Sequence, residues 1–345
     1  MKYQAIEYVL PSVAVSNAEI LARIEEESRA HLSPGELERV LRGLRLAFRS
    51  MGTEVRYRCG EGERPFELCV EAGQKALASA GMSPSDIDLL IYVGVGRGFI
   101  EPATANVFQD LLGLSKATCF DVLDACASWI RAVHIAQAFF EAGTYRNAMI
   151  VNAEFNANYE HYQLRSGDEF SYLFPAFTIG EAATATIVSS SNRDDEHVTE
   201  FQSFGEQRSK CIIPLPNWSD YLGTEVEGLE PFRFVSYGHE IMQFGLTELT
   251  EQYTRNPDFH DFDPEIVFFH SASDGMARDG MRRCGLAEDL GYYAHCRFGN
   301  TVSATLPLAM AAASEEGRLR DGTRVLLAVA SAGISTALSR FVYRT

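Results

Sequence analysis

Short apolar segments alternate with longer amphipathic ones along most of the chain. Four apolar segments have the length and unbroken hydrophobic character of buried parallel strands, and they cover residues 88–95, 147–154, 265–272 and 324–331. Helices are predicted between them, for example over 66–81 and 127–143. Because strands that alternate with helices form βαβ units, the chain is predicted to have an α/β fold built on parallel sheets.

The strand–helix pattern also occurs twice. Two short motifs recur at the same offset in residue number, one at Ile87 and Ile266 (266 − 87 = 179) and the other at Gly143 and Gly322 (322 − 143 = 179). A period this long indicates a duplicated domain rather than a solenoid repeat.

We therefore expect duplicated βαβ halves, 1–190 and 191–345, joined by the polar segment 188–197. Residues 127–143 are apolar nearly all round the predicted helix, and residues 305–313 are apolar and small. A helix of this kind is usually buried on all sides. Two such helices between two sheets predict an αβαβα layered arrangement.

The charge balance excludes several classes of partner. The chain has 345 residues, of which 47 are acidic and 30 basic, and its net charge is −17. A surface this acidic disfavours nucleic acid and anionic lipid, which both require clustered cations. No apolar run reaches the roughly 18 residues of a membrane-spanning helix, and the first residues lack the apolar core of a signal peptide. We expect no nucleic-acid partner and no membrane partner.

The cysteines indicate a cytoplasmic protein with free thiols. Their number is odd and their spacing matches no metal-binding motif. They are Cys59, Cys69, Cys119, Cys126, Cys211, Cys284 and Cys296. We therefore expect no metal site and no bound cofactor, and one thiol is available as a nucleophile.

Cys126 lies where a predicted strand ends, near Asp121 and Val122, and where the helix 127–143 begins. The first N–H groups of a helix have no partners within it, and the helix dipole is positive there. Both effects favour a thiolate over a thiol, whose unperturbed pKa is about 8.5. The position suits a nucleophile, although a small buried cysteine between a strand and a helix explains it equally well.

The sequence around Cys126 carries a more specific signal. Residues 120–154 (FDVLDACASWIRAVHIAQAFFEAGTYRNAMIVNAE) resemble the active-site stretch of β-ketoacyl-acyl-carrier-protein synthase III, a family of the thiolase superfamily. Two further motifs of that family follow in order: a strand that ends in His270, and a Gly-Asn-Thr turn that contains Asn300. The resemblance implies the thiolase fold, with the nucleophile in the first half and the histidine and asparagine in the second.

The resemblance also implies a role for each residue. In that family the cysteine carries an acyl group taken from a thioester, so Cys126 is expected to form an acyl-enzyme. The backbone N–H of Cys126 and one from the C-terminal loop at Gly333 would form an oxyanion hole. His270 and Asn300 would donate hydrogen bonds to the carbonyl oxygen of a second thioester.

Glu101 is a further candidate. Residues 97–105 (RGFIEPATA) resemble the loop of enzymes that join two fatty acyl-CoA chains head to head in bacterial olefin synthesis. There the glutamate reaches into the partner subunit's active site and removes a proton from the second acyl chain. By this resemblance Glu101 is a possible base and the protein a homodimer. The alternative is that Glu101 and Pro102 simply open a helix, where acids and proline are favoured.

Other positions depart from the family. His270 is not followed by the usual Gln-Ala-Asn, and the arginine that helps to dock an acyl carrier protein is missing; Arg278 and Arg282 are possible replacements. The Trp and Arg that clamp coenzyme A are absent, with Arg49 close but displaced. Trp129 either narrows the acyl tunnel or fills the core. These departures indicate a specialised fatty-acid or natural-product pathway.

Three functional hypotheses remain. The first is Claisen condensation of an acyl group on Cys126 with a second acyl or malonyl thioester. The second is acyl transfer from Cys126 to a hydroxyl or amine, with His270 as general base. The third is a silent subunit that supports an active partner. In the first two, acyl-CoA or acyl-carrier-protein thioester is a substrate rather than a bound cofactor.

Overall fold

The computed structural model describes residues 1–191, 197–223, 229–270 and 272–345. Its strands are, in chain order, β1 Lys2–Val9, β2 Val13–Ser16, β3 Val55–Arg58, β4 Leu89–Val93, β5 Thr118–Val122, β6 Asn147–Glu154, β7 Ala182–Ser189, β8 Val198–Ser203, β9 Cys211–Ile212, β10 Val235–Ser236, β11 Ile266–His270, β12 Gly291–Tyr292, β13 Arg324–Ser331 and β14 Ser335–Val342. Its α-helices are α1 Asn17–Ser28, α2 Pro34–Met51, α3 Pro65–Ala80, α4 Thr104–Leu111, α5 Ser128–Glu141, α6 Phe170–Leu173, α7 Trp218–Leu222, α8 Gly238–Arg255, α9 Pro257–His260, α10 Asp274–Arg283, α11 His295–Phe298 and α12 Thr305–Glu315.

Two five-stranded sheets repeat the same topology. The first has the order β1-β7-β6-β4-β5 and the second the order β8-β14-β13-β11-β12. In each sheet the first two neighbouring pairs are antiparallel and the last two are parallel. The predicted α/β fold with duplicated halves is confirmed, but the sheets are mixed rather than wholly parallel. Of the predicted linker 188–197, residues 192–196 lie outside the described residues, and the boundary at 190 stays a prediction.

Five layers follow from the faces that the strands present. On β4, Ile91 packs against α5 and α12, whereas Leu90 packs against α3 and α4. On β11, Phe268 faces α12 and Val267 faces the helices α8, α9 and α10. Since successive residues of a strand point to opposite faces, each sheet has helices on both sides. The order is α3 and α4, first sheet, α5 and α12, second sheet, then α8 to α10, as the αβαβα prediction required.

The two halves are related by a slightly smaller offset than the sequence motifs predict. Helices α5 and α12 begin at Ser128 and Thr305 (305 − 128 = 177), and strands β6 and β13 begin at Asn147 and Arg324 (324 − 147 = 177). The predicted offset of 179 is wrong because the link from Gly143 to β6 is two residues longer than the link from Gly322 to β13.

The two central helices are not equally buried. Residues Leu306 to Ala313 of α12 are all buried, as predicted. On α5, however, Arg131 and His134 remain half-buried, so the prediction that this helix is enclosed on every side is wrong. Trp129 of α5 is fully buried in the core, where its Nε1–H donates to Thr186 Oγ1 at 3.0 Å. Of its two predicted roles, Trp129 fills the core.

The segment between β2 and β3 folds over the second sheet's carboxyl edge as α1 and α2. Ser33 caps α2, since its side chain accepts a hydrogen bond from the Glu36 N–H, and Gly52 ends the helix with φ = 79°. A left-handed residue at this position is typically glycine. The apolar face of α2, with Leu44 and Phe48, packs into a cluster of its own.

All seven cysteines are free. In the part of the chain that the structure describes, no group of three or more His, Cys, Asp or Glu side chains is arranged to hold a metal ion. Within the same residues no helix has both the length and the apolar character needed to cross a membrane.

Candidate active site

One cavity brings together the three residues on which the sequence analysis depends. Cys126, His270 and Asn300 are far apart along the chain, yet all three line a cavity of about 610 Å³. Cys126 follows β5 and His270 ends β11, each at the carboxyl edge of a sheet, where α/β proteins commonly bind ligands. Asn300 lies in the turn between α11 and α12. Ala47 and Met51 of α2 contribute to the cavity wall.

Cys126 lies in a single 3₁₀ turn, Ala125–Ala127, between β5 and α5. Ala125 has φ = 44°, an uncommon conformation for a residue with a side chain. Ser331, at the end of β13, holds this turn from the other half of the molecule. Its hydroxyl accepts from the Ala127 N–H at 3.2 Å and donates to the Asp124 carbonyl at 3.0 Å.

Burial raises the pKa of the Cys126 thiol above its ordinary value, and the nearby Cys211 and Glu154 raise it further. The Ala332 backbone N–H and the nearby Ser331 side chain lower this pKa but do not compensate. The expectation of a lowered pKa from the helix dipole is therefore wrong for the free site, which holds a thiol. Desolvation of the charged form is the largest cause of this shift.

His270 is buried, and burial lowers the pKa of its imidazole to about 4. A hydrogen bond with the Val302 backbone acts weakly against this shift. His270 is therefore neutral at physiological pH. Its Nδ1 is buried and has no hydrogen-bond partner among the described residues. A neutral imidazole has one donor and one acceptor nitrogen, so the ring is able to donate to a substrate oxygen or to accept a proton.

Asn300 is fixed by both its backbone and its side chain. Its N–H donates to the Thr178 carbonyl and its carbonyl accepts from the Gly180 N–H, each at 2.8 Å. A Cβ atom on Gly180 would lie 2.2 Å from the Phe298 carbonyl oxygen, so only glycine fits this turn. The Asn300 Oδ1 accepts from the Val302 N–H at 2.9 Å. The NH₂ end of the amide is then the free donor of this side chain.

A buried carboxylate holds the Asn300 turn in place. Glu154, the last residue of β6, accepts hydrogen bonds from both the N–H and the hydroxyl of Ser303. Asn156 Nδ2 donates to the same carboxylate at 2.7 Å, and Asn152 Nδ2 donates to the Ser303 hydroxyl at 3.0 Å. Burial raises the pKa of Glu154, and these hydrogen bonds oppose the shift. The first half of the chain therefore positions the asparagine turn of the second.

Comparisons with known proteins identify the family. The family model described as 3-oxoacyl-[acyl-carrier-protein (ACP)] synthase III matches residues 120–205, and the one described as its C terminal matches residues 258–341. Beta-ketoacyl-[acyl-carrier-protein] synthase III of Aliarcobacter butzleri is 26% identical over 298 residues, which cover 85% of this chain and 87% of that protein. The protein of the same name from Listeria welshimeri is 29% identical over 285 residues, covering 82% and 85%. The chain is a synthase III-like member of the thiolase superfamily.

Solved structures agree with this synthase III-like fold. Aquifex aeolicus 3-oxoacyl-[acyl-carrier-protein] synthase III matches with a TM-score of 0.81 at 19% identity, over 99% of both chains. A variant of Xanthomonas campestris OleA matches with a TM-score of 0.83 at 20% identity, over 99% of this chain and 98% of that one. These structures show the thiolase fold. The family models and the relatives named synthase III support an acyltransferase of the condensing-enzyme class.

In the loop at Gly333, the structure places Ala332 rather than Gly333 in the cavity wall that includes Cys126. Ser331 and Ala332 line the cavity beside Cys126, whereas Gly333 is not among the lining residues. The backbone N–H of Ala332 is the loop group that acts to lower the pKa of the Cys126 thiol. The structure therefore favours Ala332 over Gly333 as the second backbone donor of an oxyanion hole.

Glu101 is exposed and does not line the cavity of its own chain. Helix α4 begins only at Thr104, and its first N–H groups are capped by Asp121, which accepts from Thr104 at 2.9 Å and Ala105 at 2.8 Å. No described residue donates a hydrogen bond to the Glu101 carboxylate. The interpretation of Glu101 as a helix-opening residue therefore lacks support, because Asp121 already fills that role.

The predicted carrier contacts lie on two helices, Arg49 on α2 and Arg278 and Arg282 on α10. Arg278 stacks on the Tyr293 ring, 3.8 Å from its centroid, and pairs with Glu288 at 3.4 Å. Arg282 pairs with the same Glu288 at 2.9 Å. Arg49, on α2, makes only a backbone hydrogen bond with Arg45. Of these three arginines, Arg49 is the one whose charge no described acid neutralises.

The structure adds three site residues that the sequence motifs do not single out: Glu154, Ser331 and Ala332. A glutamate at the end of the buried segment 147–154 was a visible signal, since an unpaired carboxylate is rarely buried. With the offset that relates α5 to α12, Ser331 would have followed as the counterpart of Glu154 (331 − 154 = 177). Ala332 carried no signal, because it acts through its backbone.

Replacing Glu154 with glutamine tests the support of the Asn300 turn. The amide keeps the size of the side chain but turns one acceptor into a donor, which then faces the donors around it. We expect the free energy of unfolding to fall by about 1–3 kcal/mol, measured by urea denaturation. The exposed Glu26→Gln on α1 is the matched control, and equal midpoints for the two variants would contradict the assignment.

The raised pKa of Cys126 predicts its reactivity with pH. Because the folded-state pKa lies above the ordinary value of about 8.5, the rate of alkylation by iodoacetamide should still be rising beyond about pH 9. His270 adds no step near its usual pKa, since it is already neutral there. Peptide mapping distinguishes Cys126 from the other thiols, with Cys126→Ser as control. A rate that is constant above about pH 8 would rule out the raised pKa.

Proposed function

We propose that the chain forms an acyl-Cys126 thioester and condenses the acyl group with a second acyl or malonyl thioester. The observation that supports this most is the convergence of Cys126, His270 and Asn300 on one cavity. A nucleophile and two neutral hydrogen-bond donors are the groups that a Claisen condensation requires. A silent subunit would have no need to retain all three.

In the first step the Cys126 sulfur attacks the carbonyl carbon of the donor thioester. The new carbon–sulfur bond forms while the bond to the donor thiol breaks, and that thiol leaves with the proton of Cys126. The N–H groups of Cys126 and Ala332 would stabilise the oxyanion in between. Because Cys126 is protonated in the free site, neutral His270 is the cavity group suited to relay that proton.

In the second step a carbanion attacks the acyl carbon on Cys126. It forms either when a malonyl thioester loses carbon dioxide or when a base removes a proton from the α-carbon of an acyl thioester. Its charge lies largely on the thioester oxygen, to which His270 and Asn300 would donate. The new carbon–carbon bond releases the Cys126 sulfur, which regains a proton, and the product is a β-keto thioester.

Acyl transfer to a hydroxyl or amine is the second candidate. The neutral imidazole of His270 in the cavity wall favours it, because a neutral ring nitrogen is a suitable proton acceptor. In this reaction Asn300 has no carbanion to stabilise. The ordered amide of Asn300 therefore distinguishes the two candidates and supports condensation.

The donor is proposed to be acyl-CoA or an acyl carrier protein, both of which carry negative charge. Arg42, Arg45 and Arg49 form an exposed stripe on α2 at helical spacing. No acid in the described ranges pairs with them, in a chain whose net charge is −17. Ala47 and Met51, on the opposite face of the same helix, line the cavity. The arginine stripe would attract phosphate groups or an acidic carrier.

The departures from the family at His270 and Arg49 support a specialised fatty-acid or natural-product pathway. A related solved structure, a variant of OleA, contains bound lauric acid and lauroyl-CoA; it has a TM-score of 0.82 at 19% identity. We propose that this chain likewise takes fatty acyl thioesters. Its free thiols suit a cytoplasmic location.

A homodimer would complete the site. Glu101 is outside its own cavity, and apolar side chains near it are exposed: Ile100 by 75% and Leu123 by 62%. Strand β5 lies at the open edge of the first sheet. We propose that a second copy covers this surface and places its Glu101 at the site as the base for acyl thioesters.

Asn300→Ala separates the two candidate reactions. Acyl-CoA and acyl-carrier donors are supplied with a malonyl or acyl thioester, and intact mass spectrometry follows the adduct on Cys126. We expect the variant to acquire the adduct normally but to form about 10²-fold less β-keto product. Cys126→Ala should show no adduct. Transfer to an added alcohol or amine that Asn300→Ala leaves unchanged would instead establish the second candidate.

Mixing two inactive variants tests the position of Glu101. In a mixed dimer of Glu101→Gln and Cys126→Ser, one site combines an intact Cys126 with the glutamate of the other copy. If Glu101 acts across the interface, condensation of two acyl-CoA molecules should return to about a quarter of the wild-type rate after statistical exchange. If activity stays absent in exchanged dimers, a cross-subunit base is excluded.

A further inference from the structure

The cavity at Cys126 continues far beyond the three site residues. On β13 it is lined by Ala330, Ala328 and Leu326, which are alternate residues on the outer face of the second sheet. Strand residues advance about 3.3 Å each, so the stretch from Ala332 to Leu326 is roughly 20 Å long. Phe269 of β11 remains partly exposed although its neighbours on the strand are buried, because it borders this space.

Helices α8 and α10 form the opposite wall. Lining residues run along α8 from Ile241 to Tyr253, roughly 18 Å at 1.5 Å per residue. On α10 the wall includes Gly280, where α10 comes close to α8. A Cβ atom there would already lie 3.2 Å from Leu246 Cδ1, so a larger side chain would displace Leu246 or enter the cavity. We call this part of the cavity, between α8, α10 and the second sheet, the apolar tunnel.

The chemistry of the walls restricts what the apolar tunnel holds. No Lys, Arg, Asp or Glu is among the described residues that line the cavity. The polar groups near Cys126, including His270 and Asn300, lie at its catalytic end. A charged or sugar-like ligand would lose its hydrogen bonds with water in the tunnel without replacement. A linear hydrocarbon chain meets no such cost.

The far end of the apolar tunnel is closed by Tyr253, Cys284 and Leu286. The same three residues line a second, more open depression that also includes His260 and Asp263. Tyr253 is 5% exposed, so its side chain fills the partition between the two spaces. A chain that extends from Cys126 along the tunnel ends at this partition.

We propose that the acyl group carried by Cys126 is a linear chain of roughly 12 to 16 carbons, since an extended chain advances about 1.2 Å per bond, and that Gly280 and Tyr253 set its length. This inference rests on the proposed acyl-Cys126 intermediate. The chain lies within a single subunit, between α8 and α10, and its carbonyl remains beside His270 and Asn300.

Gly280→Leu tests the assignment by shortening the apolar tunnel. Cys126 acylation is followed by intact mass spectrometry with butanoyl-, octanoyl-, dodecanoyl- and hexadecanoyl-CoA. The wild type should prefer dodecanoyl and hexadecanoyl donors. Relative to butanoyl transfer, Gly280→Leu should lower their rates by at least about tenfold, the effect of losing two buried methylene groups. Gly35→Leu, on an exposed part of α2 with nothing within 4 Å of its Cβ position, is the matched control.

Tyr253→Ala provides a second, independent variant, because it opens the tunnel into the adjoining depression. Its preference should shift to donors longer than hexadecanoyl. Equal rates for all chain lengths in the wild type, or a wild type that accepts butanoyl but not hexadecanoyl groups, would overturn the chain-length inference alone. The absence of any adduct on Cys126 with every donor would overturn the proposed function and this inference with it.

Discussion

The active site depends on hydrogen bonds that each half of the molecule supplies to the other. Glu154, at the end of β6, holds the turn at Ser303, and Ser331, at the end of β13, holds the turn at Cys126. Glu154 and Ser331 occupy equivalent places, since each is the last residue of its strand in the two related halves. A buried carboxylate is tolerated only where donors surround it, so the halves are held in one relative position. These hydrogen bonds between the halves therefore fix the distance between Cys126 and Asn300.

Electrostatics explains why such a site favours neutral groups. Burial keeps Cys126 protonated and His270 uncharged, and the cavity walls carry no charged side chain in the described part of the chain. Charge then appears only during the reaction, on the oxygens that backbone and side-chain donors face. Donors that are fixed before the reaction stabilise such charge without reorganising. The apolar surroundings that accept a hydrocarbon chain also strengthen these interactions.

Local pattern was sufficient to predict the strands and the catalytic candidates. The segments 147–154 and 324–331 are β6 and β13 without change, because unbroken apolar runs bounded by polar residues have few alternatives. The exchange of hydrogen bonds between halves was not predictable in this way, since it joins residues that are distant along the chain. The apolar tunnel was also beyond sequence reasoning, because it is a gap left between packed helices. The resemblance implies Gly333 as the loop donor, whereas the structure favours Ala332, which acts through its backbone and so has no side-chain signal in the sequence.

In the second half, Ser303 occupies the position that Cys126 has in the first (303 − 126 = 177). The residue before each also corresponds: Val302 has φ = 49° and Ala125 has φ = 44°. The central side chain is a thiol in the first turn and a hydroxyl in the second. The duplicated halves therefore hold two copies of one turn with different tasks. One carries the thiol that we propose as the nucleophile, and the hydroxyl of the other donates to the Glu154 carboxylate. Division of labour between duplicates, usually described for separate genes, is here contained in a single polypeptide.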